Sequence, residues 1–508
     1  MPIRSWAKFR LELLIVIALG SMALARGINA APLVDWDEAT YAEVAHEAIS
    51  NHAYLDFTWN GQPYLKKPPL LLWTVAASFK LFGESEWAAR LPSVLMGIGT
   101  LILVYFSAAI VAGRLAGLLA GLIPLGFYFF IARGGRECAT DAPLVFFSTL
   151  ALYAFIRAHQ NRRWLPVIGA ACGLAILSKG LAGLIPLAVV AISVALIPEF
   201  AIGSSGLILI VAVCAVIAAP WFIYQVITRG DLFWTTFIER ETVARVTSHL
   251  EDYPNGQGYT IRTFLREVRY LWPIALPLTA LAALAAGEGF AALKRIPPAV
   301  FVWLLWLTIA LGAACAVQTK LGWYILPALI PLSLLAGSVL GAALQPGRNG
   351  RHCTAFAVVA LAIIIVQAPA RWCRNELTFT VQRQFSEPSY RMAMRARELS
   401  SINGGGELLF AGIPLPTLVY YSGMRCHFIR PSGAGLEHTD RGDPTINLGQ
   451  HELAMLTTTG DIVSVDSLDE EWRESGPYMK ALQSDAPDYD PELPLPEVSP
   501  VRPPRNSD

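Results

Sequence analysis

Three carboxylates and three basic side chains stand at the edges of apolar runs in this 508-residue chain. Asp37 and Glu38 are adjacent in VDWDEATYAE, and Asp141 follows RGGRECAT. Lys67, Arg136 and Lys320 lie in YLKKPPLLLW, RGGREC and QTKLGWYILPALIPL. A carboxylate so placed can orient or deprotonate an incoming hydroxyl. A basic group can hold a phosphate and stabilise the charge that grows on it. Tyr64, shortly before Lys67, can stack on or hydrogen-bond to a sugar ring. Each group also has an ordinary alternative. Asp37 and Asp141 can cap helices. Lys66 and Lys67 can reach from an apolar surface toward lipid phosphates. Lys320 can anchor a helix at an interface together with Trp323 and Tyr324.

The frame that must position these groups is apolar. Hydrophobic residues make up 54% of the chain and charged ones 15%, against about 25% charged in a soluble protein. Mean hydropathy is +0.46. Runs such as LELLIVIALGSMALA and SSGLILIVAVCAVIAAPW are long enough to cross a bilayer, so the expected class is a polytopic α-helical membrane protein. A formal net charge of zero gives no support for a nucleic-acid partner. The first apolar run reads as a retained span entered from the cytoplasm, because Arg4, Lys8 and Arg10 precede it.

About eleven spans are expected, at 11–30, 91–113, 115–132, 142–157, 165–178, 181–197, 202–224, 272–290, 297–316, 323–341 and 352–369. Segment 70–82 is short and interrupted by Lys80, and is set aside as a helix lying on the outer surface. That parity places HQNRR at 159–163, LKR at 293–295 and RNGRH at 348–352 inside, where basic loops belong. It places outside the loops 31–90 and 228–271, the stretches 133–141 and 318–323, and everything after about 371. Residues 1–369 then form the transmembrane catalytic domain. Residues 370–483 form a small periplasmic α/β domain with strands such as ELLFAGI, LVYY and DIVSV, and 484–508 a disordered Pro- and Asp-rich tail. The cysteines show no CxxC pair and no metal-type cluster, and an oxidising compartment could link Cys373 to Cys426.

Acids at 37, 38 and 141 and bases at 67, 136 and 320 thus reach one outer surface. That constellation suits glycosyl transfer from a lipid-phosphate donor. No soluble nucleotide-sugar is expected outside the cell membrane, and no glycine fingerprint follows a strand. A polyprenyl-lipid transporter, the other class weighed, would carry ionisable residues along a mid-span path. Arg26, Lys179 and Glu288 lie near span ends instead.

Six fragments in order, VDWDEATYAE, YLKKPPLLLW, GRECATDAP, LSKGLAGL, AAPWF and TKLGWYILPALIPL, carry a family resemblance over residues 10–340. They resemble the membrane glycosyltransferases of the protein O-mannosyltransferase superfamily, and within it the bacterial branch that contains the lipid A aminoarabinose transferase. The resemblance implies a GT-C fold, an undecaprenyl-phosphate-linked sugar donor, inversion at the anomeric centre, and a multi-pass protein of the bacterial inner membrane with its active site in the periplasm. The acceptor it implies is a lipid A-like molecule, with a protein acceptor as the alternative, and a monomer is expected. Asp37 and Glu38 match the family's acidic pair, Asp37 being the base or acceptor-orienting carboxylate. Lys67 matches the lysine expected near the donor phosphate. Asp141 matches the next acid, Lys320 with Tyr324 a later lysine, and Lys179 with Gly180 a Lys-Gly pair. In the lipid A enzyme a glutamate before that first lysine is linked to a bound zinc, with a histidine from the middle loop, where His249 falls here. This chain has Lys66 in the glutamate's place, and a lysine cannot act as that carboxylate ligand, so no metal is assigned.

Overall fold

The computed structural model describes residues 10–34, 37–248, 259–269, 297–344, 358, 387–411, 415–429, 452–457 and 462–467. The expected span 272–290, nearly all of 352–369, the tail 484–508, His249 and Cys373 lie outside the described residues. Among the described residues, six helices are long and apolar enough to cross a membrane, or seven if one bent pair counts as a span. The chain is therefore a multi-pass membrane protein.

The helices interlock through small residues. A Cβ added to Gly337 or Gly341 would stand 2.4 Å from backbone atoms of Ala120 or Ala116. The helix Leu326–Ala343 thus lies almost backbone to backbone on Arg114–Leu122, the close approach that drives helix association in lipid. Trp303, Trp306, Phe130, Phe155 and Tyr105 fill the same apolar core.

The expected span at 115–132 is bent in the middle. The helix Arg114–Leu122 runs into a tight turn, Ile123–Gly126, and then an extended Phe127. The two arms differ in direction by 89°. Pro124 supplies no N–H to continue the helix, and its ring crowds the preceding turn. The second arm ends in a π-helical turn, Ala132–Arg136. A second break follows Lys179, where Gly180 takes φ 55. This leaves the helix Leu165–Lys179 ending on a lysine.

Segment 70–82 forms the helix Leu70–Phe82, of 13 residues. At about 1.5 Å per residue it falls well short of a hydrocarbon core about 30 Å thick. Leu71, Leu72, Val75, Ala76 and Phe79 are buried, whereas Leu81 and Phe82 at its end are exposed.

Four strands near the C-terminal end form one sheet, in the spatial order Cys426–Ile429, Gly406–Ala411, Glu452–Thr457, Ile462–Ser467. The first pair is parallel and the other two are antiparallel. LVYY, expected as a strand, lies instead in the helix Pro416–Ser422. Pro416 suits a first helical turn, and Gly423, left-handed at φ 68, closes the helix. The sheet shares a single apolar core with the first loop, in which Tyr41, Phe57, Phe79, Leu418 and Phe428 meet. Tyr421 crosses the junction: its Oη accepts from the Leu33 N–H at 2.7 Å and donates to Glu86 Oε1 at 3.0 Å.

Candidate active site

Three helix ends converge on Arg133. Asp37 opens the helix Asp37–Ser50, Asp141 opens Asp141–Ala158, Lys179 closes Leu165–Lys179, and Arg133 sits on the π-helical turn. Arg133 donates to Asp37 Oδ2 and lies 3.4 Å from Asp141 Oδ2 and 3.3 Å from Glu137 Oε2. Lys179 Nζ donates to Asp141 Oδ1 at 2.6 Å. Aromatic rings back both cations: Arg133 Cζ is 4.4 Å from the Trp323 ring centroid, and Lys179 Nζ is 5.4 Å from that of Tyr324. Tyr41 Oη donates to Asp37 Oδ1 at 2.9 Å. Burial alone would raise the Asp37 carboxyl, but the Arg133 charge and hydrogen bond, then Lys67 and Tyr41, bring it down to about 2. Asp37 remains 33% exposed, whereas Asp141 is 2% exposed. Asp37 is therefore the more accessible of these two acids.

A second, cationic cluster adjoins the first. Lys67 Nζ donates to Glu241 Oε2 at 2.7 Å, and Arg245 Nε donates to the same oxygen at 3.2 Å. Lys66 and Arg240 interact electrostatically with the same carboxylate. Among the described residues, Lys66, Lys67, Arg240 and Arg245 thus gather around the Glu241 carboxylate. Burial, with repulsion from Lys67, Arg240 and Arg245, pulls the Lys66 ammonium down to about 8, although Glu241 opposes the shift. Glu241 lies on the π-helical segment Trp234–Ala244, beyond a break at Gly230, where φ is 48. Phe233 and Phe237 stack at 5.2 Å and pack with Trp221, Leu65 and Leu70 beneath the lysines. The buried Tyr64 phenol senses both clusters: its pKa is pushed up by burial, then by the charges of Asp37 and Glu241.

Among the residues singled out from the sequence, Asp37, Asp141, Tyr64, Lys67 and Tyr324 gather at these clusters. Three do not. Glu38 is sealed against Arg90, which donates from Nε to Oε1 at 2.8 Å and from Nη2 to Oε2 at 2.7 Å. The same carboxylate accepts the backbone N–H groups of Cys138 and Val34. Arg136 is buried and donates to the Arg26 carbonyl, so Arg133 rather than Arg136 carries the charge of that turn into the network. Lys320 Nζ donates to the carbonyls of Cys315 (at 2.5 Å) and Val317, capping the end of the helix Pro298–Ala316. Glu241 and Arg245 were not singled out, because FIERETVAR lies in a long loop with no motif spacing to mark it. Arg133 and Lys179 carried a signal, one in the RGGR turn and the other in the Lys-Gly pair.

Among the described residues, Lys66 meets the Glu241 carboxylate and the cations Lys67, Arg240 and Arg245. Among the described residues, no three His, Cys, Asp or Glu side chains come together as a metal set.

Residues 66–224 match the family described as dolichyl-phosphate-mannose-protein mannosyltransferase. An uncharacterized protein of Aquifex aeolicus is 26% identical over 70% of this chain and 69% of its own length. The undecaprenyl phosphate-alpha-4-amino-4-deoxy-L-arabinose arabinosyl transferase of Pseudomonas savastanoi pv. phaseolicola is 26% identical over 67% of this chain, a match spanning 64% of that enzyme. Among solved structures, ArnT from Cupriavidus metallidurans bound to undecaprenyl phosphate superposes with a TM-score of 0.65 at 20% identity, covering 82% of this chain and 85% of that one. At that identity the likeness establishes a shared fold.

Proposed function

We propose that this GT-C membrane protein, whose resemblance to the protein O-mannosyltransferase superfamily and its aminoarabinose transferase branch is borne out by these matches, is an inverting glycosyltransferase. Its donor is a sugar linked to undecaprenyl phosphate. Its acceptor is a hydroxyl of a lipid A-like or other envelope molecule on the outer face of the inner membrane. The observation that carries the reading is the juxtaposition of an accessible, ionised Asp37 with the cation-rich loop of Lys66 and Lys67, close enough for Lys67 to lower the Asp37 pKa.

In this reading the donor phosphate enters among Lys66, Lys67 and Arg245, which meet at Glu241. The anomeric carbon faces Asp37. As the bond from carbon to phosphate oxygen breaks, the leaving polyprenyl phosphate takes the electron pair, and the cations stabilise the charge that appears. The acceptor oxygen bonds to the carbon from the opposite face, inverting it. Asp37 is too weak a base to ionise a free hydroxyl. It orients the hydroxyl and takes the proton late, when bonding to carbon has made that proton strongly acidic. Arg133, held by Asp141 and Glu137, fixes the Asp37 carboxylate.

The test is a transfer assay on purified protein in lipid, with a panel of undecaprenyl-phosphate sugars and cell-envelope fractions, run beside Asp37→Asn. Label reaching a lipid fraction only with the unaltered protein is the expected result, and label in protein would move the acceptor assignment. Absence of transfer from every donor with correctly folded protein would remove the enzymatic reading.

A further inference from the structure

The lysine loop has no regular structure of its own, yet it is pinned at its start. Thr58–Trp59 and Gln62–Pro63 pair antiparallel around Asn60 and Gly61, with φ of 54 and 74. Two successive positive φ values are the signature of a tight turn that Asn-Gly favours. The Tyr64 N–H donates back to Phe57 O at 2.8 Å, so the hairpin delivers Tyr64, Leu65, Lys66 and Lys67 in a fixed direction.

Two sides clamp the hairpin. From the helix that Asp37 opens, Glu47 accepts the Gly61 N–H at 3.1 Å and the Thr58 hydroxyl. From the C-terminal sheet, the backbone of Cys426 is read on both its polar groups by one side chain. Asn60 Nδ2 donates to Cys426 O at 2.8 Å, and Asn60 Oδ1 accepts from Cys426 N at 3.1 Å. Cys426 begins the outermost of the described strands, so the Asn60 amide takes the place of a neighbouring strand. The Trp59 ring stacks on Phe428 at 6.3 Å, nearly parallel at 9°. The Arg425 guanidinium lies over the turn, 3.0 Å from where a Cβ on Gly61 would stand.

We infer that Asn60 is a positioning residue for the donor site: bonded to Cys426, it lets the C-terminal sheet hold Lys66 and Lys67 in register with Asp37. The inference rests on the reading above that these lysines receive the donor phosphate. It gives the C-terminal sheet a part in donor binding although it lies in the chain more than 330 residues beyond the lysines.

The experiment measures undecaprenyl phosphate binding and donor KM and kcat for the full-length protein in lipid nanodiscs. Asn60→Gly keeps the left-handed turn and removes the bridge, Asn60→Asp keeps the turn and the acceptor half, and Lys67→Ala serves as reference. The expected result is a Kd and donor KM raised about tenfold in Asn60→Gly, less in Asn60→Asp, with kcat at saturating donor nearly unchanged. Normal binding in both Asn60 variants, with binding lost in Lys67→Ala, overturns the inference and leaves the functional reading standing. A fall in kcat alone also overturns it. Normal binding in Lys67→Ala overturns both. Should Asn60→Gly fail to fold, the graded loss in Asn60→Asp decides.

Discussion

Glu38 and Arg90 face each other across two hydrogen bonds, with side chains 2% and 0% exposed. Arg90 also donates to the carbonyls of Ile28, Ala31 and Pro32. The pair therefore ties the segment after the helix Arg10–Ala25 to the base of the helix Glu86–Ala112, with Asp37 one residue away. Removing one member of such a pair leaves a buried charge unpaired, which costs about 3–5 kcal/mol. Glu38→Ala is expected to lower the midpoint of thermal unfolding in detergent and the yield of monodisperse protein. A variant with unchanged melting and lost turnover would return Glu38 to the reacting centre.

Asp37→Asn should behave in the opposite way. It keeps size and shape, and Arg133 stays paired with Glu137 and Asp141, so melting should fall less than in Glu38→Ala. The transfer rate should fall by about 10²–10⁴, the range for a positioned acid or base. Steady-state turnover measured beside the melting curve separates the two. Turnover within a few-fold of the original protein would remove Asp37 from the mechanism.

Asp37 also sets a pH dependence. With its pKa held at about 2 in the folded protein, against an unperturbed value of about 3.9, the ionised form stays populated well into acid. Its contribution to stability is present above the unfolded value and is lost as pH falls through the folded one. Turnover should therefore show no acid limb from Asp37 above about pH 4. Arg133→Gln removes the charge that lowers the pKa, so an acid limb should move up toward neutrality. An unshifted profile in that variant would mean that Arg133 does not control Asp37.

Lys66 gives a second titration, of opposite sense. Its ammonium, depressed to about 8, is charged below that pH and loses its proton above it. Affinity for undecaprenyl phosphate should weaken as pH rises from 7 through 9, more steeply than the phosphate's own ionisation explains. Lys66→Met should flatten the dependence. Calorimetric titrations across this range check it, and identical slopes for both proteins would exclude Lys66 from phosphate binding.

Lys320 caps the end of the helix Pro298–Ala316 through the carbonyls of Cys315 and Val317. Lys320→Met should cost about 0.3–1 kcal/mol, the scale of a cation at a helix C-terminus, and should leave donor KM alone. A selective rise in donor KM would reinstate it as a substrate contact.

The sequence by itself determined the class. Long apolar runs require a membrane, and basic loops, adjacent acids and the Lys-Lys-Pro-Pro stretch mark one face where charge collects. It also marked Asp37, Tyr64, Lys67, Asp141 and Tyr324, because each stands near the end of a span or the start of the short apolar helix Leu70–Phe82, where local composition changes abruptly. Local composition could not separate Asp37 from Glu38. They are neighbours on a helix, pointing about 100° apart, and only the packing of Arg90 decides which is sealed. Nor could it choose Arg133 over Arg136, since that depends on a π-helical turn after the 89° bend. Glu241 meets Lys67 across 174 residues, and Asn60 meets Cys426 across 366. Such contacts arise from how helices and sheet close on one another, and no spacing along the chain records them.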